Sequence, residues 1–170
     1  MTRLLKHTRQ IASIIGNLES AGLAGAPRET TYVELGAGKA TLSGMLSETV
    51  SGCGANYALI DRGTGFRNKC DRKIRNHAEN YLERYTIDIA DLVLDSLPTV
   101  KQRARCVLIS KHLCGVATCL GLRSAVAMKQ SQDREGLGRT RTSDGKGARE
   151  VSPRLYGMCM ATCCHHLCSW

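Results

Sequence analysis

The sequence feature that most constrains the fold is a glycine hairpin between a short apolar strand and a helix. Residues 32–43 read Tyr-Val-Glu-Leu-Gly-Ala-Gly-Lys-Ala-Thr-Leu-Ser, with Gly36 and Gly38 at the turn. Glycine has no Cβ, so the backbone turns sharply there and a ligand can lie against its amides. The pattern predicts a strand, a ligand loop and a helix in immediate succession.

A carboxylate follows the next apolar run. Residues Tyr57–Ile60 are apolar and end at Asp61. In parallel α/β folds, an acid about 20 residues beyond the glycine loop accepts hydrogen bonds from ribose hydroxyls. A lone Gly-x-Gly or a lone aspartate is weak evidence, but their order and spacing together predict a nucleoside-cofactor site.

Two other nucleotide loops do not fit this sequence. The dinucleotide fingerprint G-x-G-x-x-G needs a third glycine for helix-to-strand packing, and Thr41 stands there. The phosphate loop G-x-x-x-x-G-K-[ST] fails because Val33 replaces its first glycine and Ala40 follows the lysine. What remains is the glycine loop of S-adenosylmethionine enzymes, in which a carboxylate precedes the glycines. We therefore predict S-adenosyl-L-methionine as the cofactor, held by Glu34, Gly36, Gly38 and Asp61.

Strands alternate with helices along the chain, which predicts an α/β fold with a mostly parallel sheet. The strands are almost uniformly apolar, as is typical of a parallel sheet covered on both faces. The predicted strands are Thr31–Leu35, Tyr57–Ile60, Tyr85–Ile87, Cys106–Ser110 and Leu155–Ala161. The predicted helices are Leu4–Leu18, Thr41–Val50, a basic helix running through Leu82, and Val116–Met128.

Chemically active residues follow several of these strands. Asp88 comes after the third strand, and Lys111 and His112 come directly after the fourth. Because ligands gather at the carboxyl ends of parallel strands, we expect these side chains to meet the glycine loop. Methyl transfer to a hydroxyl needs alignment and removal of one proton, and Lys111 or His112 could serve as the base.

The formal net charge of +9, from 24 Lys and Arg against 15 Asp and Glu, predicts a polyanionic partner. Basic stretches at residues 62–84 and 129–154 suit contacts with phosphates, which supply affinity without reading a base sequence. RNA is the simplest such partner, and we expect no role in DNA binding. No long apolar run is present, so we expect no membrane span.

The nine cysteines raise the question of a metal or disulfide framework. Zinc usually recruits ligand pairs spaced C-x-x-C or H-x-x-x-H, whereas neighbours on an extended strand point to opposite faces. We predict no metal site, although a zinc site shared with His112 and Cys114 stays open. We expect reduced thiols in a cytoplasmic or nuclear protein. The C-terminal cluster consists of Cys163, Cys164, His165, His166 and Cys168.

Four segments together resemble one known family. Val33–Lys39, Ile87–Leu92, Lys111–Thr118 and Cys163–Trp170 are similar, in this order, to the eukaryotic tRNA ribose 2'-O-methyltransferases that modify nucleotide 4 of the acceptor stem. The resemblance implies a Rossmann-like class I fold that uses S-adenosyl-L-methionine, and tRNA as the partner. It leaves the oligomeric state open.

The resemblance also implies roles for the matching positions. The two loop glycines would hold the methionine part of the cofactor, Asp61 the ribose, and Asp88 the adenine amino group. Lys111 and His112 would face the target hydroxyl. We divide the chain into an N-terminal helix and linker at residues 1–30 and a methyltransferase domain at 31–170. Residues 130–152 contain almost nothing apolar, which predicts a mobile surface insertion.

The sequence departs from the family pattern in ways that define an alternative. Full-length members carry metal-binding zinc modules before the domain, Ala40 replaces the glycine that usually follows the lysine, and Cys119 replaces an aspartate. Trp170 comes just beyond the fifth strand, whereas a complete sheet adds two more strands as a hairpin, so we expect these two to be missing. The alternative is a truncated, catalytically inactive RNA-binding module that retains a cofactor-like pocket.

Overall fold

The core of the protein is a five-stranded parallel sheet in the strand order β3-β2-β1-β4-β5. The computed structural model describes residues 3–49, 54–65, 69–138 and 152–162. All four strand pairs are parallel, which confirms the predicted α/β class. The strands are β1 (Thr30–Leu35), β2 (Asn56–Asp61), β3 (Tyr81–Thr86), β4 (Arg105–Lys111) and β5 (Arg154–Ala161).

Helices connect the strands and cover both faces of the sheet. The α-helices are α1 (Arg3–Ser20), α2 (Thr41–Thr49), α3 (Lys69–Arg75), α4 (Pro98–Lys101) and α5 (Val116–Gly138). Short 3₁₀ turns lie at Pro27–Glu29, Ile89–Asp91 and Leu94–Ser96. No helix in the described ranges is long and apolar enough to cross a membrane.

The alternation of side chains along each strand divides the core into two layers. On one face, Tyr32 and Ile109 pack with Ile11 of α1 and Leu42 of α2. On the other, Val33, Leu108 and their neighbours pack with α5 and the chain between β3 and β4. The central strands are buried on both faces, which explains why their sequences are uniformly apolar.

The register of the three central strands places their carboxyl ends side by side. Leu35 of β1 pairs with Ile60 of β2, and Glu34 of β1 pairs with Ile109 of β4. The residues that follow these pairs therefore emerge together at one edge of the sheet. This edge carries the glycine loop, Asp61 and Lys111.

The predicted helix through Leu82 is wrong, because α3 ends at Arg75 and β3 begins at Tyr81. The side chain of Asn80 accepts hydrogen bonds from the backbone N–H groups of Gly54 and Ala55, at 2.9 and 3.1 Å. This contact anchors the start of β3 beside β2. Pairing with β2 thus extends the third strand four residues toward the N-terminus of the predicted one.

Helix α5 is longer than predicted and occupies part of the expected mobile insertion. It runs to Gly138 instead of ending at Met128. Lys129 forms an i,i+4 ion pair with Asp133 at 2.8 Å, and the Gln132 side chain donates to the carbonyl of Pro153 at 3.1 Å. These polar contacts give this segment order that its lack of apolar residues does not predict. Residues 139–151 of the predicted insertion lie outside the described residues.

The contact between α2 and α3 generates a stability prediction. A Cβ added to Gly44 would lie 2.9 Å from Cys70 Cβ, whereas one added to Gly16 in α1 meets nothing within 4 Å. We expect Gly44→Ala to destabilise the fold by about 1–2 kcal/mol, because the overlap outweighs the better helix propensity of alanine. Gly16→Ala should stabilise it by up to about 1 kcal/mol.

Urea denaturation of the two variants beside the wild-type chain measures both changes. An equal gain in unfolding free energy for both variants would contradict the close approach of α2 and α3.

Candidate cofactor and acceptor site

The glycine loop after β1 has the backbone geometry that its glycines predict. Gly36 and Gly38 have φ angles of 66° and 47°, in the left-handed region that residues with a Cβ rarely adopt. Ala40 has a φ of 53° and is fully buried, so its Cβ makes this conformation strained. The family that the sequence resembles usually has glycine at this position. The N–H of Ala37 donates to the carbonyl of Ile60 at 2.9 Å, which ties the loop to β2.

Asp61 contacts this loop directly. Its Oδ2 accepts a hydrogen bond from the N–H of Gly38 at 2.8 Å, and its Oδ1 accepts one from the N–H of Gly63 at 2.7 Å. A carboxylate has about four acceptor positions, so two stay available for a ligand. The structure thus brings together the aspartate and the hairpin that the sequence analysis paired.

Arg84 of β3 contacts the carbonyl group of the same glycine. Its guanidinium donates to the carbonyl of Gly38 at 3.0 Å and forms a two-point ion pair with Asp71 of α3, at 2.7 and 2.8 Å. The Asp71 side chain is 1% exposed. Gly38 is therefore fixed through both its N–H and its C=O. Sequence analysis counted Arg84 only as part of a basic stretch, since no local signal marks this contact.

Glu34 is placed beneath the loop rather than in the cavity. It is 3% exposed, and its Oε2 accepts hydrogen bonds from the N–H and the hydroxyl of Ser43, at 3.0 and 2.5 Å. Burial raises the pKa of Glu34 to about 7, although the Ser43 bonds and the charges of Arg84 and Lys111 act in the opposite direction. Its carboxyl group caps the first turn of α2.

A cavity of about 420 Å³ opens at the carboxyl ends of β1 and β2. Asp61 and Asp88 contribute carboxylates, and the exposed Arg62 lies 4.0 Å from Asp88. Asp88 also accepts a hydrogen bond from the N–H of Ala90 at 2.9 Å. The remaining lining is largely apolar, which suits a flat ring between two acidic groups. It consists of Gly36, Ile87, Ile89, Leu113, Cys114, Val116, Ala117 and Leu120.

Lys111 and His112 lie beside this cavity but are not among its lining residues. The Lys111 ammonium nitrogen lies 3.2 Å from His7 Nδ1, and the His7 ring meets the His112 ring edge-on at a centroid distance of 5.6 Å. Partial burial lowers the pKa of Lys111, and partial burial together with the charge of Lys111 lowers that of His112. Sequence analysis missed His7, because nothing in α1 itself marks a residue that reaches β4.

The backbone of His112 is also unusual. Its φ of 68° lies in the left-handed region, and its N–H donates to the carbonyl of Ala161 at the end of β5, at 2.9 Å. Non-glycine residues persist in this conformation where surrounding contacts hold them, and such residues cluster at functional sites. The strand-end pair Lys111–His112 is thus held in place by β5 as well as by α1.

Metal ligation is not apparent in the described part of the chain, where no group of three or more His, Cys, Asp or Glu could hold an ion. The cluster from Cys163 to Cys168 lies outside the described residues. Cys70, Cys106, Cys119 and Cys159 are free, but Cys114 is disulfide-bonded. The expectation of reduced thiols is therefore wrong for Cys114, because sequence spacing does not show which sulfurs the fold brings together.

A parallel sheet with a glycine loop after β1, an acid after β2 and a cavity over their ends defines a Rossmann-like domain of the methyltransferase class. Residues 9–170 match the family described as Methyltransferase TRM13. The chain belongs to this family, which confirms the resemblance seen in the sequence.

Curated relatives of the chain include proteins from two mammals and a yeast. It is 35% identical over 186 residues to the tRNA:m(4)X modification enzyme TRM13 homolog of Mus musculus, and 33% identical over 184 residues to that of Homo sapiens. It is 32% identical over 192 residues to the tRNA:m(4)X modification enzyme TRM13 of Saccharomyces cerevisiae. These matches cover 97–98% of this chain but 38% of each relative's length. No solved structure gives a significant match.

The buried carboxyl of Glu34 generates a pH-dependent stability prediction. Its pKa of about 7 in the folded state exceeds its ordinary value, so above that ordinary value the folded state retains a proton that the unfolded state releases. Stability therefore falls as the pH rises through this window. We expect Glu34→Gln, which keeps an acceptor for Ser43, to gain about 2–3 kcal/mol over the wild type between about pH 5 and about pH 8.

Denaturant unfolding of both proteins across this pH range measures the gain. Parallel stability curves would show that the folded state holds Glu34 ionised throughout.

Proposed function

We propose that this chain is the catalytic domain of a tRNA 2'-O-methyltransferase that uses S-adenosyl-L-methionine and modifies the ribose of nucleotide 4 in the acceptor stem. The observation that carries the proposal is the contact of Asp61 with Gly38 beside the cavity, in a chain of the TRM13 methyltransferase family. Methyl transfer follows the family description, tRNA and position 4 follow the names of relatives that are longer than this chain, and the ribose 2'-hydroxyl follows the resemblance seen in the sequence.

The residues around the cavity fit an adenosyl cofactor. The unused acceptor positions of Asp61 suit a ribose diol, and the carboxylate of Asp88 suits an amino group on a flat base between Ile89 and Leu113. Gly36 has no side chain, so its backbone can contact the methionine part of the cofactor. A cofactor with a sulfonium and an ammonium group also matches an acidic cavity. When bound, S-adenosyl-L-methionine supplies an activated methyl group.

The acceptor side of the reaction lies at the end of β4. A ribose hydroxyl is a weak acid, so removal of its proton during attack assists transfer. Burial lowers the pKa of Lys111, which increases the fraction of neutral amine available to act as the base. We assign Lys111 this role and His112 the role of contacting the acceptor ribose. His112 is exposed, which suits such a contact.

Exposed cations around the same edge of the sheet would contact the phosphates of the tRNA backbone. Arg62 lies at the mouth of the cavity, and the surface of α3 adds further positive charge. Arginine and lysine contacts to phosphates supply affinity and orientation rather than sequence recognition. Selection of nucleotide 4 would then depend on the shape of the acceptor stem.

The role of Asp61 can be tested by cofactor binding. We expect Asp61→Ala to weaken S-adenosyl-L-methionine binding by roughly 10- to 100-fold, because it removes charge-assisted hydrogen bonds and frees the Gly38 amide. Isothermal titration calorimetry measures the change. Asp133→Ala is the matched control, because Asp133 pairs only with the exposed Lys129 in the described structure. Equal affinity of the Asp61 variant and the wild type would exclude this assignment.

The role of Lys111 can be tested by single-turnover transfer to tRNA, with the modified nucleotide mapped. We expect Lys111→Met to keep cofactor affinity within about 3-fold and to slow transfer by roughly 100-fold, because proton removal is lost. Lys101→Met, at the exposed end of α4, should transfer at the wild-type rate. An unchanged rate in the Lys111 variant would remove it as the base, and cofactor binding without any transfer by the wild type would favour a non-catalytic RNA-binding module.

A further inference from the structure

The reaction proposed above assigns no role to His7, although this residue contacts both Lys111 and His112. It lies on α1, about a hundred positions before Lys111 in the sequence, yet its Nδ1 is 3.2 Å from the Lys111 ammonium nitrogen. It is also 5.6 Å, ring centre to ring centre, from His112. A single residue of α1 therefore contacts both Lys111 and His112 at the end of β4.

The hydrogen bond between these groups has a defined direction. The ammonium form of Lys111 has only donors, so His7 Nδ1 accepts in this hydrogen bond and the ring that accepts it carries its proton on Nε2. Lys111 forms no ion pair in the described part of the chain, and the buried Glu34 acts on it only through its charge. His7 is thus the described side chain that forms a hydrogen bond with the Lys111 amine.

The packing of α1 gives this contact a rigid base. Ile11, Ile14, Ile15 and Leu18 of the same helix are buried against the sheet, each at most 5% exposed. Apolar burial thus fixes the position of the helix. His7 lies one turn before the buried segment, so the place from which its ring extends is fixed as well. A lysine has four rotatable side-chain bonds, so an external acceptor is needed to fix its amine.

We propose that His7 is a positioning residue for the transfer reaction, which holds the Lys111 amine by accepting a hydrogen bond from one of its N–H groups and so directs the single lone pair of the neutral amine to the acceptor hydroxyl. This inference rests on the proposed function. In the reaction, the ribose oxygen forms a bond to the methyl carbon while the carbon–sulfur bond breaks and leaves its electron pair on sulfur. The hydroxyl proton passes to Lys111 Nζ, which then loses it to water.

The charged groups around the lysine are compatible with this arrangement. Glu34 approaches from β1, His112 follows Lys111 on the chain, and His7 faces it from α1. Glu34 raises the pKa of Lys111, and burial lowers it more strongly. A neutral imidazole that accepts a hydrogen bond adds a second stabilisation of the ammonium form. Removing that acceptor should therefore lower the pKa of Lys111 further.

Three variants of the full 170-residue chain test the proposal. His7→Leu removes the acceptor, His7→Asn keeps an acceptor near the position of Nδ1, and Lys6→Leu changes an exposed neighbour on the same helix. The first measurement is the pH dependence of Lys111 acetylation by acetic anhydride, followed by mass spectrometry without cofactor or RNA. The second is the single-turnover rate of methyl transfer to tRNA, with S-adenosyl-L-methionine affinity as the reference.

We expect the acetylation midpoint of Lys111 to fall in His7→Leu and to stay at the wild-type value in His7→Asn and Lys6→Leu. The transfer rate should fall roughly 10- to 100-fold in His7→Leu at unchanged cofactor affinity, and His7→Asn should restore it to within about 3-fold. Simple loss of structure would move the midpoint the other way, toward that of a free lysine.

An unchanged midpoint in His7→Leu, or a rate that His7→Asn does not restore, would overturn the inference. Failure of the proposed function gives a different result, which is no transfer by the wild-type chain. The acetylation measurement still decides in that case whether His7 holds Lys111, because it needs neither cofactor nor tRNA.

Discussion

The hydrogen bond from the Gly38 amide to the Asp61 carboxylate is the interaction on which the site depends. This bond, 2.8 Å from Gly38 N to Asp61 Oδ2, joins the loop after β1 to the end of β2. Arg84 of β3 adds a second bond, to the Gly38 carbonyl. Both contacts involve a charged group, and such hydrogen bonds are roughly twice as strong as neutral ones. They hold a turn with positive φ angles in one conformation, so its backbone is set before a ligand arrives.

Two chemically different regions lie beside each other at this edge of the sheet. One is the cavity, which has the carboxylates of Asp61 and Asp88 and a largely apolar lining. The other is the group of His7, Lys111 and His112, in which partial burial lowers the pKa values of Lys111 and His112. An acidic region suits a cationic methyl donor, and a base suits a hydroxyl acceptor. The proposed function assigns one substrate to each region.

Sequence reasoning succeeded where local pattern and chemistry agree. The apolar runs of β1, β2 and β4 predicted the parallel sheet, and the positions of Gly36, Gly38 and Asp61 after these strands predicted that they lie at one edge of it. It failed at β3, whose start depends on pairing with β2, and at the end of α5, which polar contacts extend. Both errors arise because the deciding partner is distant in sequence or carries no apolar signal.

The sequence alone determined the fold class and the presence of a glycine turn after β1, because glycine conformation and the burial of apolar strands are local properties of the chain. Only the tertiary structure decided how that loop is supported. In the fold, Glu34 accepts hydrogen bonds from the first turn of α2, Arg84 links Asp71 to the carbonyl of Gly38, and His7 contacts Lys111. These contacts join residues on different elements, and their geometry follows from the packing of helices on the sheet, which no short stretch of sequence encodes.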